Sequence, residues 1–326
     1  MKRLWLVGVL LMACSAQEDV LPKKTMEWSY YTTSNGLGSN VCYTLFEDSQ
    51  GNLWVGTDNG VSKFNGSTFQ KYTTTDGLVN RFVNAIEETS QGSMLFGTDN
   101  GLSILDNGSW YYVPAFSGVP IYALKRDVTN LIWIGTYGFG VVRYNYEGGS
   151  YQQDVDNSCG PCNQVNAFFE DDLERMWIGT DGGVKMVANG TTKHFTKTQG
   201  LAGNEISAIT QDSWGNIWLG ASDTTGVTRY TAGQFTVVSL NTNDIVPVRM
   251  GGIQEDKYGQ LWIGYARPWI DQKYYSGLTR YDGILMQKLP EGPPVSGIWS
   301  MLRASNGDFY LATSSSGLAR FKPVKY

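Results

Sequence analysis

The sequence predicts an all-β protein, a seven-bladed β-propeller of four-stranded antiparallel blades. Three observations carry that prediction. A ten-residue phrase recurs, first as "GNLWVGTDNG" at 51–60 and again as "GSMLFGTDNG" at 92–101. Each recurrence sits inside a unit that reads as four short strands separated by turns. The last unit lacks its fourth strand, and the chain holds a spare one, "EWSYYTT" at 27–33, ahead of the first unit.

The repeat is anchored on the glycine of "LWVGT". Gly56, Gly97, Gly135, Gly179, Gly220, Gly264 and Ala312 mark seven copies, spaced by 41, 38, 44, 41, 44 and 48 residues. A period of about 43 residues signals a repeat architecture. A solenoid would have shorter and more regular copies, which leaves the propeller. Eight residues before the anchors stand Asp48, Thr89, Asp127, Asp171, Asp212, Asp256 and Ala304. Three residues earlier an apolar column runs Leu45, Ile86, Leu124, Phe168, Ile209, Ile253 and Met301. After each anchor a glycine opens the next strand: Gly60, Gly101, Gly140, Gly183, Gly226, Gly277 and Gly317. So an apolar strand runs into an Asp-X-X-Gly turn, a Trp-rich strand follows, and a Gly turn leads to a third strand such as "GVSKF". An aromatic strand such as "TFQKYTT" ends the unit. Pairing residues 27–33 with the last copy closes the ring and removes exposed sheet edges.

Residues 1–13 read as a secretory leader: Lys2 and Arg3 precede an apolar run, Leu4 to Ala13, too short to span a membrane. "LMAC" at its end resembles the bacterial lipoprotein box, which implies a lipid on Cys14. Residues 14–25 are then a tether and 26–326 a single propeller domain. The acidic "QED" after Ser15 fits an outer-membrane destination. Membrane attachment is expected through that lipid alone.

Without Lys2 and Arg3, 23 basic residues face 30 acidic ones, a net charge of −7. That balance argues against nucleic acid, which needs a clustered positive surface.

The repeat resembles the two-component regulator propeller, the periplasmic sensor portion of many hybrid histidine kinases. The stretches "FEDSQGNLWVGTDNGVSKFNG" (46–66), "QDSWGNIWLG" (211–220) and "DGL" (76–78) carry the resemblance. It implies a propeller over essentially residues 26–326 and a sensory role. The kinase parts have no room in 326 residues, so phosphotransfer is not expected of this chain.

Columns that repeat in every blade build the scaffold. Trp54, Trp133, Trp177, Trp218 and Trp262 are expected to fill the layers between blades rather than to stack sugars. The Asp column is expected to cap its own turns rather than to bind metal. No cofactor or metal set is anticipated. Function should sit where the copies differ.

The first difference is the stretch "YARPWIDQKYYS" between Gly264 and Gly277, where the first copy has "TDN". Tyr265, Arg267, Trp269, Asp271, Tyr274 and Tyr275 suit a polar ring-shaped ligand, and a self-packed loop is the competing reading. The second is "NSCGPCNQ" at 157–164, where Cys159 and Cys162 are expected to form a local disulfide in an exported protein rather than a redox pair. Cys42 reads as a buried thiol. The third group opens the inner strands: Arg81, Asn84, Tyr122, Asn166, Arg249 and Trp299. With Tyr137 and Phe139 they are expected to ring the channel mouth.

The single histidine, His194, lies in a fourth strand, away from the channel. Streptogramin lyase propellers, an enzymatic look-alike, lean on a histidine near the channel. No catalytic constellation is visible. The favoured reading is a sensory or accessory lipoprotein that binds a small molecule or oligosaccharide. An envelope protein–protein scaffold and a propeller lyase or hydrolase are the alternatives.

Overall fold

The computed structural model describes residues 26–153, 160–224, 226–240, 249–266, 277–284, 286–288 and 297–324. They form seven four-stranded antiparallel sheets, each in simple up-and-down order. The inner strands, in blade order, are Cys42–Glu47, Val83–Glu88, Ile121–Arg126, Val165–Glu170, Ile206–Gln211, Arg249–Glu255 and Ile298–Arg303. Trp28–Tyr31 is the outermost strand of the last blade, in register from Trp28 opposite Phe321 to Tyr31 opposite Leu318. The ring therefore closes as expected.

The Trp column is buried between blades. Each Trp Nε1–H also donates to the Asp six residues before it, at 2.6–2.9 Å. The same carboxylates cap their own turns: Asp48 accepts from the Gln50 and Asn52 N–H groups, and Asp212 from those of Trp214 and Asn216. One carboxylate thus fixes the turn and satisfies a buried indole. The blades that lack the Trp, with Leu95 and Tyr310 in its place, are those that lack the Asp, with Thr89 and Ala304.

The anchor glycines mark the closest approach of neighbouring blades. A Cβ on Gly56 would stand 2.6 Å from the Val83 carbonyl oxygen, and one on Gly135 2.6 Å from Val165 Cγ1. On Gly264 it would stand 2.9 Å from Ile298 Cγ2. The seventh anchor is Ala312, and the inner-strand residue at that junction is Cys42, in the same core cluster. Elsewhere this column holds Val83, Ile121, Val165, Ile206, Met250 and Ile298. The methyl added by Ala312 is offset by the smallest residue in the facing column. Burial pushes the Cys42 thiol pKa up to about 12, so it is a core thiol.

The opposite rim carries a second device. Glu47 of blade 1 accepts from both N–H and Oγ–H of Ser305 in blade 7. Glu88 does the same for Ser49, and Glu255 for Ser213. Glu170 accepts from the Val128 N–H and Gln211 from the Asp172 N–H. At the two remaining junctions the residue is arginine and the polarity reverses: Arg126 donates to the Glu88 carbonyl and Arg303 to the Glu255 carbonyl. The junction between the first and last blades is built like the others.

Two outcomes follow. Cys42→Val should overpack the closing junction and cost about 1–3 kcal/mol. In an Ala312→Gly background most of that cost should disappear, as a double-mutant cycle by urea unfolding would record. The second concerns Asp48. Burial raises its pKa, but hydrogen bonds from Trp54 and Asn52, with the charge of Lys63, outweigh that and hold it below the ordinary carboxylate value. Its stabilisation is therefore complete above the unfolded pKa of about 3.9 and is lost as pH falls through the lower folded value. The Tm difference between wild type and Asp48→Asn should shrink as pH falls from 6 to 3.

Candidate functional site

All seven inner strands carry a register shift at the same place, one residue in from the first buried position. It falls between Cys42 and Thr44, and likewise in the other blades. A bulge of this kind leaves one residue unpaired and re-aims its side chain. The bulged residues are Tyr43, Asn84, Tyr122, Asn166, Ser207, Gly251 and Trp299. Fifteen residues after each stands a residue of the loop that ends the second strand: Asp58, Asp99, Tyr137, Asp181, Ser222, Ala266 and Ser314. In six blades this loop residue donates its N–H to the carbonyl just before the inner strand's first buried residue, as Asp99 does to Phe82. Six blades thus present a side-chain pair at the channel mouth, and blade 6 has Gly251 at the bulge.

The pairs differ in kind. Asn84 Nδ2 donates to Asp99 Oδ1 at 2.7 Å and to the Ile121 carbonyl of the next blade. Asn166 repeats this with Asp181 and the Ile206 carbonyl. Ser207 meets Ser222 and the Met250 carbonyl. These three are latches between blades. The aromatic members meet other rings instead: Tyr122 lies edge-on to Tyr137 with centroids 5.6 Å apart, and Tyr43 lies 5.4 Å from Trp299.

Between them opens a cavity of about 210 Å³ lined by Tyr43, Phe82, Asn84, Asp99, Tyr122, Arg249 and Trp299. The Arg249 guanidinium sits 5.7 Å over the Trp299 ring, and its Nε is buried with no hydrogen-bond partner. Desolvation lowers its pKa, opposed by electrostatic attraction to the Tyr122 oxygen and to Asp181. Burial raises the pKa of Tyr43 and Tyr122, and neighbouring acids, Asp99 among them, add to it. Both phenols therefore stay protonated and able to donate.

The cavity brings together Asn84, Tyr122, Arg249 and Trp299 from the sequence expectation, and sequence reasoning missed Tyr43, Phe82 and Asp99. The fifteen-residue spacing could have found Tyr43 and Asp99. Asn166 belongs to the same ring but is spent on Asp181. Tyr137 and Phe139 are exposed at the rim. Arg81 is exposed, stacked 4.3 Å over Phe82, and does not line the cavity.

Tyr265 corrects the expectation of an exposed contact. It is 1% exposed, inside the core cluster that holds Trp218 and Ile263. It occupies the column filled elsewhere by the buried Thr57, Thr98, Thr136, Thr180, Ala221 and Thr313. Those threonines clamp tight loops through the carbonyl of the following glycine. In blade 6 the Tyr265 ring lies instead against Gly277, where a Cβ would come within 1.8 Å of it. Arg267, Trp269, Asp271, Tyr274 and Tyr275 lie outside the described residues.

Cys162 is buried in the short turn Gly160–Asn163 and is disulfide-bonded; Cys159 lies outside the described residues. His194 is exposed on the outermost strand Thr191–Phe195, with Nε2 2.9 Å from the Gly182 carbonyl. Among the described residues no helix is long and apolar enough to cross a membrane.

This architecture is that of a closed seven-bladed β-propeller. Residues 36–59, 159–182 and 200–223 match the model of the two component regulator propeller family; the chain carries two-component regulator propeller repeats. It is 26% identical over 219 residues to histidine kinase P4 of Formosa agariphila, 62% of this chain but 15% of that kinase. Its fold is similar to the extracellular domain of a protein classed as a hybrid two component system from B. thetaiotaomicron. That match has a TM-score of 0.72 and 19% identity, and covers 91% of this chain and 42% of the other. It is also similar to a catalytically inactive virginiamycin B lyase from Staphylococcus aureus solved with quinupristin. There the TM-score is 0.71 at 14% identity, over 92% of this chain and all of the lyase. Identities this low carry the fold alone.

The correction at Tyr265 is open to a direct check. Tyr265→Ala should cost about 3–5 kcal/mol of folding stability, the range for emptying an aromatic core site, read as a lower urea midpoint.

Proposed function

We propose that this chain is an exported, lipid-anchored propeller that binds a small molecule, such as a glycan fragment, at the channel mouth in a sensory or accessory role. The carrying observation is the aromatic sector of the bulge ring. Tyr43, Tyr122 and Trp299 surround a concave space that also holds the half-buried Arg249, whose Nε has no hydrogen-bond partner. The other polar members of the ring are engaged in latches. Concave sites with apolar walls and a few polar groups are where small molecules bind. The family match supports a sensory role, and the likeness to a kinase relative supports it by analogy.

The blade-six insertion is proposed as a second contributor. It follows directly in sequence on Ala266, the blade-six member of the loop ring, and Arg267, Trp269, Asp271, Tyr274 and Tyr275 are its proposed contacts. Export and anchoring are proposed from residues 1–14: leader 1–13, lipid on Cys14, tether 14–25, outer-membrane destination. A binder is favoured over a lyase because His194 stands on an outermost strand.

A second reading, an envelope scaffold, has its own support. The tips of three consecutive Asp turns on the opposite face expose Leu173 (69%), Trp214 (71%) and Tyr258 (41%).

A thermal-shift screen separates the readings, since a ligand that binds the native state raises Tm. A hit should be lost in Trp299→Ala and weakened in Trp269→Ala, each with a nearly unchanged apo Tm. A stoichiometric partner lost in Trp214→Ser would favour the scaffold instead. Turnover of the hit would favour an enzyme.

A further inference from the structure

Arg249 is the unusual group at the mouth. It is the only cation lining the cavity among the described residues, and its Nε makes no hydrogen bond. A buried guanidinium nitrogen left without a hydrogen-bond partner is costly unless something compensates it. Among the described residues no acid forms an ion pair with it: Asp99 Oδ1 accepts from Asn84 at 2.7 Å, Asp181 Oδ1 from Asn166 at 2.7 Å, and Asp58 Oδ1 has no hydrogen-bond partner. A guanidinium offers a planar fork of donors that matches a carboxylate in two parallel hydrogen bonds. Trp299 lies on one side of it, with Tyr43 and Tyr122 also lining the space.

Two further features narrow the ligand. The cavity of about 210 Å³ holds roughly seven waters at liquid density, the size of one six-membered ring with its substituents. Asp99 in the wall, with Asp58 and Asp181 in the same loop ring, disfavours a second negative charge.

We infer that the mouth recognises a ring-bearing monocarboxylate, its carboxylate on the Arg249 guanidinium and its ring among Trp299, Tyr43 and Tyr122. This rests on the channel-mouth reading above and adds the ligand's charge and size. Two sources share the chemistry, a uronic acid and an aromatic acid. Ring hydroxyls of the first would donate to Asp99 and accept from the Tyr43 and Tyr122 phenols. The second would stack more fully on the aromatic walls.

The test is calorimetric titration of the full chain with D-glucuronate and 4-hydroxyphenylacetate. D-glucose and 4-methylphenol serve as neutral counterparts, and acetate and sulfate as anions without a ring. The inference predicts that at least one ring carboxylate binds about tenfold or more tighter than its neutral counterpart, while acetate and sulfate bind weakly. Which of the two binds identifies the source. Arg249→Met should remove that preference and raise the Tm of the unliganded protein, because the buried unsatisfied Nε is gone. Arg249→Lys should retain part of it. Silence of both ring carboxylates, or equal binding of the neutral counterparts, would overturn the inference. So would unchanged carboxylate binding by a folded Arg249→Met. A neutral compound lost in Trp299→Ala but kept in Arg249→Met would leave the channel-mouth reading standing and overturn the carboxylate. Binding that survives both changes would remove the mouth reading as well.

Discussion

The close approach of each anchor glycine to the next blade's inner strand is the constraint from which the rest of this molecule follows. With backbone or side-chain atoms 2.5–3.1 Å from where a Cβ would sit, the second strand of one blade and the first of the next pack without a gap. That distance sets the angle between blades, and seven such steps close a ring. The indole–carboxylate bond supports it from the side by holding the large Trp, which fills the remaining layer, in one orientation. The single departure, Ala312, is matched by Cys42, so the closing junction obeys the same packing limit with the volume moved from one partner to the other.

Because these contacts repeat, they are unavailable for recognition. The bulge in each inner strand is what frees a position from the repeat. Its side chain leaves the blade for the channel mouth, except in blade 6, where a Cβ on Gly251 would stand 2.4 Å from the Ile298 carbonyl oxygen. The fifteen-residue pairing with the loop beyond the second strand then gives each of the other blades two adjustable letters at the mouth. Three blades spend them on latches: Asn84 with Asp99, Asn166 with Asp181, Ser207 with Ser222. Others present rings, and blade 6 presents Gly251, so that Arg249 two residues earlier carries that sector's side chain.

The scaffold was legible because identity and spacing encode it. The glycine anchors, the Asp and Trp columns and the spare strand before the first copy state blade count and closure in letters. The site was legible only in part. Tyr122, Arg249 and Trp299 stand out as departures from the repeat, but a bulge is an event of backbone register and leaves no composition of its own. Tyr43 was hidden in an apolar strand and Asp99 in a "TDNG" shared with blade 1. Tyr265 looked like part of an insertion, yet alignment to the Thr57 column places it in the core, since the insertion begins after Ala266. The carboxylate–indole bond was missed because the turn alone accounted for the Asp.

The claim that recognition belongs to the bulge ring is tested most directly by amide hydrogen exchange on the full chain with and without a bound ligand. The account predicts added protection in the peptides that open the inner strands, around Tyr43, Tyr122, Arg249 and Trp299, with the Asp turns of the opposite face unchanged. Protection centred on those turns or on the outermost strands, with the mouth unaffected, would contradict it.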